Sequence, residues 1–273
     1  RLDTMVTVVD ANRFINDIQS EDLLMDRDES IGDADERTIA DLLIDQVEFC
    51  DVMTINKIDL VSKEALAKLE KTLRALQPEA RIIKTVNAEV DLSEVLNTQL
   101  FDFEKASESA GWIKELTHGG HEHHTPETEE YGISSFVYRR KLPFNADRFK
   151  EWFDHLPSNI VRSKGIVWFA QHNSVACLLS QAGSSCEVRP VTYWVATMPE
   201  LKQREILMAR EEIAAEWDLE YGDRHTQFVV IGTDLDQEEI TRQLDACLIN
   251  TSEINQDWRL LYDPYQWKYD KRM

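Results

Sequence analysis

Three short apolar runs, each set off from the next by an amphipathic helical stripe, constrain this chain more than any other feature. Met5-Val6-Thr7-Val8-Val9, Val52-Met53-Thr54-Ile55 and Arg81-Ile82-Ile83-Lys84-Thr85 are β-branched and aliphatic stretches of strand length. After the first comes an acid-rich loop over 20–35, and then Ile39, Leu43, Val47 and Cys50 fall at near-helical spacing, with Asp35 placed to cap the start. After the second, Ser62 begins a helix whose Leu66, Leu69, Leu73 and Leu76 form one stripe before Pro78 stops it. Strands alternating with helices join through right-handed crossovers, so these residues predict a parallel, doubly wound sheet.

From 107 to 130 the character changes. Gly, His, Thr, Glu and Pro dominate, with few apolar anchors after Leu116, as in an exposed linker. Beyond it, strands are expected over 133–140, 160–170, 175–180, 188–196 and 228–231, and helices over 146–155, 199–217 and 237–247. Strands in near succession with helices before and after them give an α+β unit with a mainly antiparallel sheet. The expected organisation is 1–106, a linker over 107–130, and 131–273.

Composition narrows the function classes. With 51 acidic against 30 basic residues, the formal net charge is −21. Such a surface repels phosphate backbones and anionic lipids, which argues against nucleic-acid and membrane partners. It is compatible with cations. No run of eighteen apolar residues marks a transmembrane helix. The four cysteines, Cys50, Cys177, Cys186 and Cys247, form no CxxC pair, against both a knuckle-type zinc site and a disulfide framework. A reducing, cytoplasmic setting is expected. Arg1 rather than Met opens the sequence almost directly onto a strand, so the chain is expected to begin inside a fold.

Asn56-Lys57-Ile58-Asp59 follows the second strand and precedes a helix. Open α/β sheets bind ligands there, just beyond the carboxyl ends of their strands. A carboxylate at Asp59 offers two acceptors for the N1–H and exocyclic amine of guanine, a donor pair that adenine lacks. The Lys57 stem can lie along the purine face. Asn56 can donate to a ring nitrogen and tie neighbouring loops together. The bland alternative is an ordinary β–α turn in which Asn and Asp serve as turn and cap residues. One β–α unit later comes Val86-Asn87-Ala88, where the backbone N–H groups of guanine-binding folds meet the base oxygen. A phosphate loop of the form GxxxxGK[ST] needs Gly followed by Lys, and none of the nine glycines here is. Without such a loop, hydrolysis by this chain alone is not expected.

These residues point to a family. Leu2-Asp3-Thr4-Met5-Val6-Thr7-Val8-Val9-Asp10-Ala11, Gln46-Val47-Glu48-Phe49 and the 56–59 motif resemble the later GTPase segment of CobW-like proteins, relatives of the HypB and UreG metallochaperones. Gly132-Ile133-Ser134-Ser135-Phe136-Val137-Tyr138-Arg139-Arg140, Arg162-Ser163-Lys164-Gly165, Gly222-Asp223-Arg224 and Leu244-Asp245-Ala246-Cys247-Leu248 resemble the CobW C-terminal domain. The fold class implied is α/β: part of a doubly wound P-loop-type GTPase domain over 1–106, followed by a smaller α+β domain with a mainly antiparallel sheet. The resemblance implies a GTP-dependent metallochaperone, with GTP and, in a full-length parent, Mg²⁺ as cofactors. Zinc is the expected metal. A client metalloprotein and further copies of the chain are the expected partners. The family's P-loop and CxCC metal motif would lie upstream of the first strand. Asp10, at a strand end, invites a magnesium role but is expected to cap the following helix.

Four of the seven histidines, His118, His121, His123 and His124, cluster beside Gly119, Gly120 and Glu122. Imidazoles on a flexible loop are ligands for borderline divalent metals, so this tract reads as weak Zn²⁺ or Ni²⁺ binding; a solvated linker of biased composition is the alternative. His155, His172 and His225 are isolated and expected in hydrogen-bonded positions. The aromatic tail of Trp258, Tyr262, Tyr265, Trp267 and Tyr269 is expected to pack back on the second domain. The 162–165 stretch suggests only that Gly165 marks a bulge or close approach. Two other functions stay open: a non-catalytic module for metal buffering or for client or oligomer interaction, and cobalt handling in cobalamin metabolism, since histidine accepts zinc and cobalt alike.

Overall fold

The computed structural model describes residues 2–27, 37–102 and 132–269. The expected linker and its histidines lie outside them. The first described part is a three-stranded sheet of order β1-β2-β3, made of β1 (Val6–Asp10), β2 (Val52–Asn56) and β3 (Arg81–Lys84). Both pairings are parallel, with Val6 opposite Val52 and Val52 opposite Arg81. Helix α1 (Phe14–Ile18) and helix α2 (Ile39–Glu48) link β1 to β2, and α3 (Lys63–Leu76) links β2 to β3. Val9, Met53 and Ile55 share one apolar cluster with Phe14, Ile44, Val47, Leu69, Leu73 and Leu76. The leucine stripe of the sequence is therefore the sheet-facing side of α3.

Two local details differ from expectation. The cap of α2 is Thr38, whose hydroxyl accepts from Asp41 N–H while the Asp41 carboxylate accepts from Thr38 N–H. This reciprocal box satisfies two of the helix's unpaired donors at once, which a single distant Asp cannot do; Asp35 is not among the described residues. The stretch after β1 also folds, as α1 and a 3-10 turn over Leu24–Arg27 pinned by Arg27 to Asp17 and Asp22.

The second part is a five-stranded antiparallel sheet of order β4-β8-β5-β6-β7: β4 (Ile133–Arg140), β5 (Ile160–Val167), β6 (Val175–Ala182), β7 (Ser185–Tyr193) and β8 (Thr226–Thr233). Its helices are α4 (Ala146–Phe153), α5 (Glu200–Ala209), α6 (Glu211–Ala215) and α7 (Gln237–Cys247). α4 and α7 supply Phe149, Phe153, Ile240 and Leu244 to a core with Phe136, Tyr138, Leu179, Phe228 and Val230. The helix expected over 199–217 breaks at Arg210, and neither α5 nor α6 buries a residue. The tail folds back except at Tyr262, which is exposed: Tyr265, Trp267 and Tyr269 pack against this core, Tyr265 stacks on Trp267 at 4.2 Å, and Trp258 packs on a separate cluster with Trp168.

The two sheets share helices. α3 meets β4 and β8, and α2 meets β6, so α2 and α3 lie between the parallel sheet and the antiparallel one. Helices covered on two sides must bury residues beyond a single apolar stripe. That is why Glu48, Thr72 and Gln77 are buried alongside the leucines. Glu48 meets Arg162 of β5 in a bidentate pair at 2.6 and 3.0 Å, and both side chains are essentially inaccessible. Arg162 also donates to Ser180 Oγ and the Gln181 carbonyl, which helps to satisfy a guanidinium taken out of water.

The β6–β7 turn completes the junction. Gly183 has φ +56°, and a Cβ there would lie 1.6 Å from the Ile18 carbonyl oxygen at the end of α1. Ser184 N–H donates to that same carbonyl at 3.1 Å, and Ser184 Oγ donates to the Ser20 carbonyl. Gly165 marks a close approach inside the sheet, where a Cβ would fall 2.3 Å from the Gln227 carbonyl of β8.

Candidate functional site

Parallel pairing brings the carboxyl ends of all three strands to one edge. Asp10 stands opposite Asn56, and Ile55 opposite Lys84, so the turns after β1, β2 and β3 are neighbours. The turn after β2 opens with Lys57 in the left-handed region at φ 62°, followed by a 3-10 turn over Ile58–Leu60. For a residue with a Cβ this conformation costs about 1–2 kcal/mol, and the surrounding bonds must hold it. Thr85 N–H donates to the Ile55 carbonyl at 2.8 Å, and Leu60 N–H to the Lys57 carbonyl at 3.0 Å.

The turn after β3 is strained in the same way. Asn87 and Ala88 have φ 54° and 58°, and Glu89 N–H donates to the Val86 carbonyl at 3.1 Å. Positive φ at both central residues is the mark of a type I′ turn, which Asn tolerates and Ala does not favour. The tie that offsets the strain comes from the neighbouring turn. Asn56 Oδ1 accepts from Ala88 N–H at 2.8 Å and from Thr85 Oγ1 at 3.2 Å. These two donors fix the amide orientation, so Nδ2 is turned to the other side and donates to no described residue.

Of the residues singled out in the sequence, Asn56, Lys57, Asp59, Val86, Asn87 and Ala88 gather at this one edge. Asp59 is exposed, and its carboxylate pairs with no described residue. Ala88 N–H is engaged by Asn56; Val86 N–H and Asn87 N–H have no acceptor among the described residues. Among the described residues, the edge thus presents a carboxylate, an amide donor and two backbone donors without partners.

Asp10 does not cap α1, whose first position follows Arg13 without a side-chain cap. Its Oδ1 accepts from Asn12 N–H at 3.0 Å, closing a turn on itself, and its Oδ2 meets Lys57 Nζ at 2.6 Å. Asp10 ends β1 three residues before the cap position at Arg13, too early for its side chain to serve as the cap. Burial pushes its carboxyl up, but the Lys57 and Asn12 hydrogen bonds and the charges of Lys57 and Arg13 outweigh this and hold it below the usual carboxylate range. Magnesium would need open carboxylate oxygens. Both Asp10 oxygens are already engaged, one by the Lys57 ammonium, and among the described residues no three His, Cys, Asp or Glu side chains gather to hold a metal ion. The described residues do not fit a magnesium site.

The thiols are poor metal ligands as they stand. Burial pushes Cys50 and Cys247 up to about 11 and Cys177 up to about 12, so these three are protonated at neutral pH, while Cys186 stands alone at the surface. The isolated histidines are hydrogen-bonded: His155 to the Glu151 carbonyl, His172 between Tyr269 and Asp263, and His225 to the Asp223 carbonyl. Sequence reasoning missed the Lys57–Asp10 and Glu48–Arg162 pairs. A charge beside the buried Val47 of α2 was the one signal for the second, and nothing local pointed to its partner.

Residues 133–248 match the family model described as the cobalamin synthesis protein cobW C-terminal domain, and residues 1–84 match that of the CobW/HypB/UreG nucleotide-binding domain. A zinc-regulated GTPase metalloprotein activator of Dictyostelium discoideum is 40% identical over 275 residues, covering 97% of this chain and 56% of that protein. A zinc chaperone of Mycobacterium tuberculosis is 27% identical over 274 residues, covering 99% of this chain and 63% of that protein. The chain thus spans between 56% and 63% of the length of these curated relatives. A crystal structure of the Zn(II)-bound YjiA GTPase from E. coli aligns over 91% of this chain and 62% of that one, with 18% identity and a TM-score of 0.38.

Proposed function

Because this chain belongs to the CobW/HypB/UreG family, we propose that it supplies the guanine-reading part of a GTP-dependent zinc metallochaperone. In this reading residues 1–106 belong to the GTPase domain, 107–130 form a histidine-bearing linker, and 131–273 form the C-terminal domain. The observation that carries it is the tied edge: Asn56 Oδ1 holds the Ala88 turn, while the Asp59 carboxylate and Asn56 Nδ2 have no partner among the described residues.

Each free group has a counterpart on guanine. Asp59 accepts from the N1–H and the exocyclic amine, and Asn56 Nδ2 donates to a purine ring nitrogen. The Lys57 stem covers the face of the base, and the Val86, Asn87 and Ala88 turn lies toward the base oxygen with the Val86 and Asn87 N–H groups open. Adenine presents an acceptor where guanine has its N1–H, so it would leave the Asp59 carboxylate desolvated and unpaired. Zinc is cargo in this scheme. Its proposed ligands are the imidazoles of His118, His121, His123 and His124, the side-chain type most used for borderline divalent metals. A client metalloprotein receives the metal.

Changing Asp59 to Asn tests the reading. An amide turns one acceptor into a donor, so the variant should lose guanosine triphosphate binding by about 100-fold and gain xanthosine triphosphate, whose extra carbonyl matches the new donor. Equilibrium binding of the two nucleotides measures both changes; unchanged preference would sink the assignment.

A further inference from the structure

The Lys57–Asp10 pair is not explained by stability alone. The two side chains are 48% and 28% exposed, and exposed ion pairs contribute little to folding. Yet both partners are held. Asp10 ends β1 directly opposite Asn56, and its Oδ1 is fixed by Asn12 N–H, which aims Oδ2 at Lys57. Lys57 leaves β2 in a left-handed backbone conformation, and its ammonium meets Oδ2 at 2.6 Å. A long, flexible side chain is thereby pinned at both ends across the carboxyl edges of two strands, beside the free Asn56 amide.

We propose that Asp10 is a positioning residue for purine binding: its carboxylate holds Lys57 extended across the β1–β2 edge, so that the Lys57 stem is already ordered when the base arrives. This rests on the guanine-site reading above and adds a residue to it. The role is distinct from that of Asp59. Asp59 reads the edge of the base, whereas Asp10, acting through Lys57, supports its face. Loss of Asp10 therefore weakens every purine alike, and loss of Asp59 changes which purine is preferred.

The test is a binding cycle on the full chain with guanosine, inosine and xanthosine diphosphates. Asp10→Ala should weaken guanosine and inosine diphosphate equally, by about three- to tenfold, the cost of ordering one long side chain on binding. Asp10→Glu, which keeps the charge, should restore part of the loss. In a Lys57→Ala background, Asp10→Ala should have no further effect. If Asp10→Ala leaves affinity unchanged, or weakens binding as much without Lys57 as with it, the positioning role is overturned; Asp59→Asn shifting preference to xanthosine diphosphate would then leave the guanine site standing. If Asp59→Asn binds all three as the parent chain does, the guanine site fails and the role of Asp10 fails with it.

Discussion

Single residues carry charge that the fold has to hold, and Glu253 shows how. Its carboxylate accepts from Arg148 Nη1 and Nη2 at 2.9 and 2.7 Å, from Asn250 N–H at 2.8 Å and from Asn145 Nδ2 at 3.3 Å. The hydrogen bonds from Arg148, ahead of the others, lower it from the usual 4.5 to about 2. A folded-state value below the unfolded one means the unfolded chain takes up the proton first. The stabilisation is therefore complete above about pH 4.5 and lost as pH falls from there through about 2. It amounts to on the order of 2 kcal/mol once the partial exposure of Arg148 is allowed for. Urea unfolding of Glu253→Gln should show lower stability than the parent near neutral pH and a shallower decline in acid. Parallel curves at every pH would show that the carboxylate is not held this way. The nucleotide edge is read at the same scale. Asn56, Lys57 and Asp59 were legible because four adjacent residues and their place after a strand sufficed; Asp10 was not, because its partner is 47 positions away.

Secondary elements decide how the two sheets meet. The buried Glu48–Arg162 pair links α2 to β5, joining two sequence stretches that each resembled the family for no visible chemical reason. Removing one partner leaves a buried charge alone, so Arg162→Ala should cost about 3–5 kcal/mol in chemical denaturation. Replacing both, as Glu48→Leu with Arg162→Met, should recover most of that loss, since apolar side chains of similar volume suit a dry contact. A single-variant loss below about 1 kcal/mol would mean that the pair is solvated and does not fasten the sheets. Element positions were largely legible: β4 and α7 fall where patterning places them, and α3 carries the expected leucine stripe. The break at Arg210 and the short α1 were not. Neither is set by periodicity: α1 is only five residues long, and α5 and α6 bury nothing that would impose a stripe.

At the scale of the whole molecule, the question is where metal cargo would sit. The net charge of −21 draws cations to the surface generally without making a site. Three of the four thiols are buried, Cys186 is isolated at the surface, and the described histidines are hydrogen-bonded. That leaves the tract of His118, His121, His123 and His124, outside the described residues, as the proposed donors. Changing all four to alanine should lower the zinc stoichiometry in a calorimetric titration at neutral pH, and lowering the pH below about 6 should weaken binding in the parent chain as imidazoles protonate. Undiminished stoichiometry in the fourfold variant would remove the tract from consideration.

The sequence by itself determined the alternation of strands and helices, the antiparallel character of the second sheet and the residues at the β2 turn. These follow from periodicity and from side-chain chemistry over a few adjacent positions. The tertiary structure decided what those residues are tied to. Asn56 holds the Ala88 turn, Lys57 meets Asp10, and Glu48 meets Arg162, at separations of 32, 47 and 114 positions. Hydrogen bonds and ion pairs act over a few ångströms of space. Only the packing of α2 and α3 between two sheets, and the register of parallel strands, brings those distant positions within reach.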